Sequence, residues 1–268
     1  MTQTTTAPER TRAKIGARTL RTDAWRREPI VVAVGLTLWV LYACVRVFMG
    51  RWYWVPQYHY LTPFYSPCVS GACTPEAASL GTWFPKVPSI VPYAIVSLPF
   101  ILGFRLSCYY YRRAYYRAFW QSPTACAVRE PHARYTGETR FPLILQNLHR
   151  YLFYFVLLVT VLNIYDLIEA FHGKTGGIGF GLGTLIMLIN VVLLIAYTLG
   201  CHSCRHITGG RLKNFSKHPA RYWIWTQVSK LNARHRLFAW VTLGTLLLTD
   251  LYIMLVATAT ISDLRFFN

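Results

Sequence analysis

Apolar residues along the chain gather into five long runs, at residues 30–49, 90–108, 148–171, 182–201 and 237–261, separated by basic and aromatic segments. Each run is close to the roughly 20 residues that a helix needs to cross the hydrocarbon layer of a bilayer. None alternates with a period of two, as a barrel strand would, and a helix satisfies its backbone polar groups within its own segment. The pattern therefore predicts an all-α integral membrane protein. Its five-helix transmembrane domain occupies residues 30–268, preceded by a basic tail at residues 1–29.

Composition agrees, since 54% of the 268 residues are hydrophobic and only 14% are charged. The charge also sets an orientation. Residues 1–30, 105–150 and 202–236 carry seven, eight and eight of the 28 lysines and arginines, and the other five are Arg46, Arg51, Lys86, Lys174 and Arg265. With five spans those three segments share one face, which the positive-inside rule makes cytoplasmic. The N-terminus is then inside and the C-terminus outside. A net charge of +18 would suggest nucleic acid in a soluble protein. Here topology and anionic lipid headgroups account for it, and no nucleic-acid partner is expected. The tail has no apolar centre and is not a secretory signal by itself.

Two segments outside the runs carry many rings. Residues 50–89 include Trp52, Tyr53, Trp54, Tyr58, Tyr60, Phe64, Tyr65, Trp83 and Phe84, which favour the membrane interface and predict a loop folded over the outer helix ends. Cys68 and Cys73 lie in it on the oxidising side, where a disulfide and an unlinked pair of thiols are both compatible with the sequence. After Cys108 no Gly or Pro occurs until Pro123, which predicts that the second helix runs on into the cytoplasm as an aromatic and basic surface. So many exposed Tyr, Trp and Arg side chains suit a protein partner.

The densest chemistry is Cys201-His202-Ser203-Cys204-Arg205-His206, where the fourth run ends. Cys108, Cys126, His149 and His235 belong to the other segments on that same face. On a continuing helix Cys201 and Cys204 would lie about 60 degrees apart, and His202 and His206 about 40 degrees apart on another face. One ion cannot easily use all four. A two-iron cluster held by two thiolates and two imidazoles, the Rieske type of ligation, would take one face of this helix and ligands from its neighbours. Haem b competes, held by a pair such as His149 and His235 near the inner surface, although no run has a histidine in its middle third. Zinc in a closed Cys/His site is a third choice. The same residues also suit small buried thiols and headgroup-facing imidazoles.

Three acids fall within the apolar runs: Asp166, Glu169 and Asp250. They read either as a proton route or as hydrogen-bonded groups pinning helices through Asn163, Asn190, Thr245 and Thr249. A proton or solute transporter would use the same acids. Against it stand an odd number of spans and the lack of paired midplane Gly/Pro breaks, the glycines of residues 176–183 forming a short outer turn. A membrane metalloenzyme acting alone would be expected to show repeated His-x-x-x-His clusters, and only His202 and His206 fit.

The chain resembles the single-polypeptide membrane anchor of the actinobacterial succinate dehydrogenases, in the succinate:quinone oxidoreductase (complex II) family. The resemblance is carried by His132-Ala133-Arg134-Tyr135-Thr136-Gly137-Glu138-Thr139-Arg140-Phe141-Pro142, by Gln146-Asn147-Leu148-His149-Arg150, by residues 199–210, and by Phe215-Ser216-Lys217-His218-Pro219. It implies a subunit that binds a soluble iron-sulfur and flavoprotein pair at its cytoplasmic face and passes electrons from succinate to a membrane quinone. Better-known five-helix anchors of the family hold haem b between mid-helix histidines that this chain lacks. Quinone contacts are expected from His218, Arg221, Tyr222 and Trp223, with Tyr109 and Arg112 approaching from the second helix.

Overall fold

The computed structural model describes residues 23–86, 88, 90–111, 128, 139–141 and 143–268. Arg112, Cys126, residues 1–22 of the tail and most of the 132–142 motif lie outside the described residues. Helices dominate, and four are long and apolar enough to cross a membrane: Arg27–Met49, Ile144–Glu169, Leu182–Leu199 and His235–Ala257.

Helix α1, Arg27–Met49, carries Glu28 in its first turn and Arg46 in its last, each placed to favour the helix dipole. It stops at Gly50, whose φ of +64° is the left-handed conformation glycine adopts without strain. Leu36, Trp39, Ala43, Arg46 and Val47 recur at helical spacing and are buried. The opposite face, with Val34, Leu38, Leu41, Val45 and Phe48, is exposed and equally apolar, as a lipid-facing surface requires.

The second predicted span is corrected. It contains a 3-10 turn at Tyr93–Val96 and a helix α2 of only nine residues, Leu98–Leu106. Proline is the reason: Pro92 precedes the turn and Pro99 sits in the first turn of α2, where its missing N–H costs nothing but a longer upstream helix is barred. The expected run-through past Cys108 is also interrupted, at Ser107 and Cys108, before helical backbone resumes at Tyr109.

Helix α3, His149–Glu169, follows a 3-10 segment Leu143–Leu148 and buries Phe153, Val156, Thr160, Asn163 and Asp166 along one stripe. Helix α4, Leu182–Leu199, packs most extensively on the last long helix, His235–Ala257. Between them lie two shorter helices, α5 (His202–Gly209) and α6 (Pro219–Ala233), so that His235–Ala257 is α7. The fourth span therefore ends at Leu199 rather than running through Cys201, which has extended backbone and caps α5 instead.

One end of the bundle, here the basic end, gathers the starts of α1, α3 and α7 and the close of α4. The other is capped. There β1, Trp54–Val55, pairs antiparallel with β2, Tyr60–Leu61, and Tyr53, Tyr58, Phe64 and Tyr65 of the same loop are buried over the helix ends. Cys68 and Cys73 are disulfide-bonded, with Cα atoms 6.1 Å apart. A second pairing joins β3, Phe180–Gly181, to β4, Arg265–Phe267.

Buried polar contacts fix how the helices sit. Arg46 reaches Asp250 through Nε, 2.6 Å from Oδ2, and through Nη2, 3.1 Å from Oδ1. Tyr42 and Thr62 donate to the same carboxylate, both at 2.6 Å. At the capped end Asp263 accepts from Tyr60 at 2.9 Å, Tyr252 at 2.7 Å and the Gly183 N–H at 2.9 Å. Burial, then the neighbouring Asp263 carboxylate, push the Tyr60 phenol up to about 12.

Candidate functional site

Four chemically reactive side chains meet at the basic end, each from a different part of the chain. Nε2 of His149, at the start of α3, lies 3.3 Å from Sγ of Cys201 between α4 and α5. Sγ of Cys108, just past α2, lies 4.0 Å from Nε2 of His235 at the start of α7. Cys108, Cys201 and His235 are each at most 2% exposed. Level run ends in the sequence pointed to this convergence, and helix packing supplies it.

Each imidazole is held flat against a ring. His149 stacks on Phe104 with centroids 4.4 Å apart and planes within 9°, and His235 stacks on Tyr197 at 4.9 Å and 4°. Ser107 Oγ lies 2.9 Å from Nδ1 of His149, so the other ring nitrogen is the one turned to Cys201. This is the outer-shell support that ligating histidines usually have. Around the group two buried polar atoms, Nδ1 of His235 and the hydroxyl of Tyr197, make no hydrogen bond among the described residues. Burial pushes the Cys201 thiol up to about 11, so it is protonated at neutral pH unless a cation displaces the proton.

Of the other Cys and His residues of the motif, Cys204 and His206 make no hydrogen bond to the side chains of these four among the described residues, whereas the charge of His202 acts on His235. Cys204 is buried on α5, and burial alone raises its thiol. His202 and His206 are exposed, and His202 is lowered by partial burial and by Arg205 beside it. The cause is the break at Cys201, which starts a new helix and turns the motif away from the α4 face. Among the described residues no three His, Cys, Asp or Glu side chains surround a single point, so a mononuclear zinc site has no ligand set there.

Arg105 lies beside this site. It is 4% exposed, its guanidinium stands 4.6 Å over the Tyr197 ring, and it donates to Tyr111 at 3.1 Å, Thr242 at 3.1 Å and the Ala239 carbonyl at 3.4 Å. Phe104, Arg105, Ser107 and Tyr197 were not read as site residues from the sequence. A charged residue inside the second apolar run was the available signal for Arg105.

Residues expected to contact quinone are dispersed. Arg221 ties the end of α5, donating to the Thr208 carbonyl at 2.6 Å and the Gly210 carbonyl at 2.5 Å. His218 precedes α6 and, like Tyr222 and Trp223, is exposed. Tyr222 forms a surface of rings with Phe215, 4.8 Å away, and Trp225, 5.9 Å away. Tyr109 is exposed next to the Cys108 turn. At the capped end a cavity of about 350 Å³ is lined by Tyr53, Tyr65, Lys86, Pro92 and Tyr93 and bordered by the exposed Phe48 and Ile90. Of the acids, Asp166 accepts from Ser66, Glu169 lies 3.5 Å from His59, and Asp250 is enclosed by Arg46.

The family described as actinobacterial succinate dehydrogenase subunit SdhC matches residues 27–259. Among solved structures the chain is similar to one of the Mycobacterium smegmatis Sdh1 complex in the apo form, at 65% identity over 97% of this chain and 98% of that one, with a TM-score of 0.89. No curated protein matches significantly. The match spans every long helix and all four convergent Cys and His residues, and on that ground the chain belongs to the actinobacterial SdhC family, the membrane anchor subunit of a succinate dehydrogenase complex.

Proposed function

We propose that this anchor passes electrons from the soluble iron-sulfur and flavoprotein subunits of its complex to a membrane quinone, by way of a two-iron cluster at the basic end. The observation that carries the reading is the approach of Cys108, Cys201, His149 and His235 from four separate elements. Two thiolates and two imidazoles are the Rieske donor set, and such a cluster would supply one-electron transfer. Rieske ligation gives one iron two thiolates and the other two imidazoles, whereas the near approaches here pair each thiol with an imidazole, so cluster binding would bring the two pairs together. Stacking by Phe104 and Tyr197 would hold the imidazole planes, and Ser107 would hold the tautomer of His149.

Haem b fits these residues less well, because the cavity beside Phe104, Arg105 and Tyr197 measures about 40 Å³, far below the few hundred Å³ that an organic cofactor fills. In this reading the basic end is cytoplasmic, with five spans counting the broken second segment, in a bacterial plasma membrane. The exposed rings of Phe215, Tyr222 and Trp223 then serve as the surface that the iron-sulfur subunit covers. Asp250 and Asp166 act as pins between helices, because their oxygens are already engaged by Arg46, Thr62 and Ser66.

For the quinone, Tyr109 beside the Cys108 turn is the approach at the basic end, with His218, Arg221, Tyr222 and Trp223 further out. One observation favours a second placing. The cavity at the capped end, at about 350 Å³, is the size of a small-molecule site, and Tyr53, Tyr65 and Lys86 line it.

The test is electron paramagnetic resonance of the whole purified complex after dithionite reduction. A rhombic low-g signal that disappears in His149→Ala and His235→Ala complexes supports the reading. A sharp haem absorption band without that signal overturns it. Quinone reduction by Tyr109→Phe and Lys86→Gln complexes separates the two placings.

A further inference from the structure

Two arginines among the described residues are fully buried in the bundle, and they are treated differently. Arg46 is neutralised by Asp250. Arg105 has only neutral acceptors, namely the Tyr111 hydroxyl, the Thr242 hydroxyl and the Ala239 carbonyl, and no carboxylate among the described residues. A buried guanidinium without an anion is costly in a bilayer, so a position that keeps one needs a compensating negative charge nearby.

The position of Arg105 identifies that charge. It lies one helical turn before Cys108 and directly after Phe104, the ring that stacks on His149. Its guanidinium rests on Tyr197, the ring that stacks on His235. Its charge acts on Cys108, Tyr197 and His235 together. A two-iron cluster held by two thiolates and two imidazoles would be neutral when oxidised and carry one negative charge when reduced, and among the described residues Arg105 is the buried arginine beside it.

We infer that Arg105 is the fixed counter-charge of the electron-carrying centre and raises its reduction potential. This inference rests on the two-iron reading above. When an electron arrives, the iron-sulfur partner is oxidised and the site between Cys108, Cys201, His149 and His235 gains one negative charge, with no bond made or broken and no proton required. A cation locked in place by Thr242, Tyr111 and Ala239 favours that added charge without having to move, which is electrostatic preorganisation. Arg105 touches neither quinone nor the ligating atoms. It is a positioning residue acting through charge.

The experiment is a redox titration of the paramagnetic signal in the whole complex. Three variants are compared with the unaltered protein. Arg105→Gln removes the cation. Thr242→Asp keeps it but places a carboxylate where a hydroxyl now lies 3.1 Å from Nη2. Arg105→Lys retains a charge. The first two are expected to shift the one-electron equilibrium at least tenfold toward the oxidised state, which is 59 mV lower in potential, while Arg105→Lys stays near the original value. If Arg105→Gln does not assemble, Thr242→Asp carries the test alone. Unchanged potentials with an intact signal overturn the inference and leave the cluster reading standing. Absence of any signal in the unaltered complex overturns the cluster reading, and the inference falls with it.

Discussion

Sγ of Cys108 and Nε2 of His235 lie 4.0 Å apart, although 127 positions separate them along the chain. The contact joins the turn after α2 to the first residue of α7. Cys108→Ser keeps the volume and removes the thiolate, and the complex is expected to assemble with less than a tenth of the iron that the unaltered complex holds at this site. Metal analysis of the purified complex, set against the iron expected from its soluble subunits, checks this.

The Arg46–Asp250 pair predicts a large and asymmetric stability effect. Asp250→Leu leaves a buried guanidinium unpaired and is expected to destabilise the anchor by about 3–5 kcal/mol. Replacing both partners, as Arg46→Met with Asp250→Leu, is expected to recover most of that loss. Thermal unfolding of the detergent-solubilised complex distinguishes the two, and equal losses in single and double variants would remove the pair from its assigned role.

Tyr60 makes the capped end sensitive to alkali. Its folded value of about 12 stands above the ordinary value of about 10, so its stabilising contribution is complete below pH 10 and is lost as pH rises through 12. Difference absorbance of phenolate formation, with Tyr60→Phe as reference, is expected to show a late-titrating tyrosine. Proteolysis of the capping loop is expected to rise over the same interval.

Gly209 is packed so that an added Cβ would overlap the Trp225 ring. Gly209→Ala is therefore expected to displace the Phe215, Tyr222 and Trp225 surface and to cost about 1–3 kcal/mol through overpacking. The readout is weaker retention of the soluble subunits on the solubilised anchor, with helix content unchanged.

Much of the architecture is legible from runs of apolar residues, since α1, α3, α4 and α7 fall within a few positions of the predicted spans. The second span is not, because a long apolar run there contains Pro92 and Pro99, which cannot sit inside one unbroken helix. The local geometry of the cysteine motif differs from the one expected from the sequence. The apolar run suggests a helix continuing through Gly200, whereas extended backbone at Cys201 starts a new helix there and leaves His202 and His206 exposed. In the sequence Arg105 stands only as one of the basic residues that set the topology. Its burial depends on packing between α2 and α7, which no local pattern encodes. The partner of Arg46 was equally hidden, because helix register across the bundle decides which polar groups meet.

That pairing bears on biogenesis. A distance of 204 positions between Arg46 and Asp250 means that the first helix leaves the ribosome long before its carboxylate exists. Until α7 is synthesised, the guanidinium must be held in the translocon or snorkel to the headgroups. Final seating of the first helix therefore waits for the last, and truncation before Asp250 would strand an early segment as well as a late one.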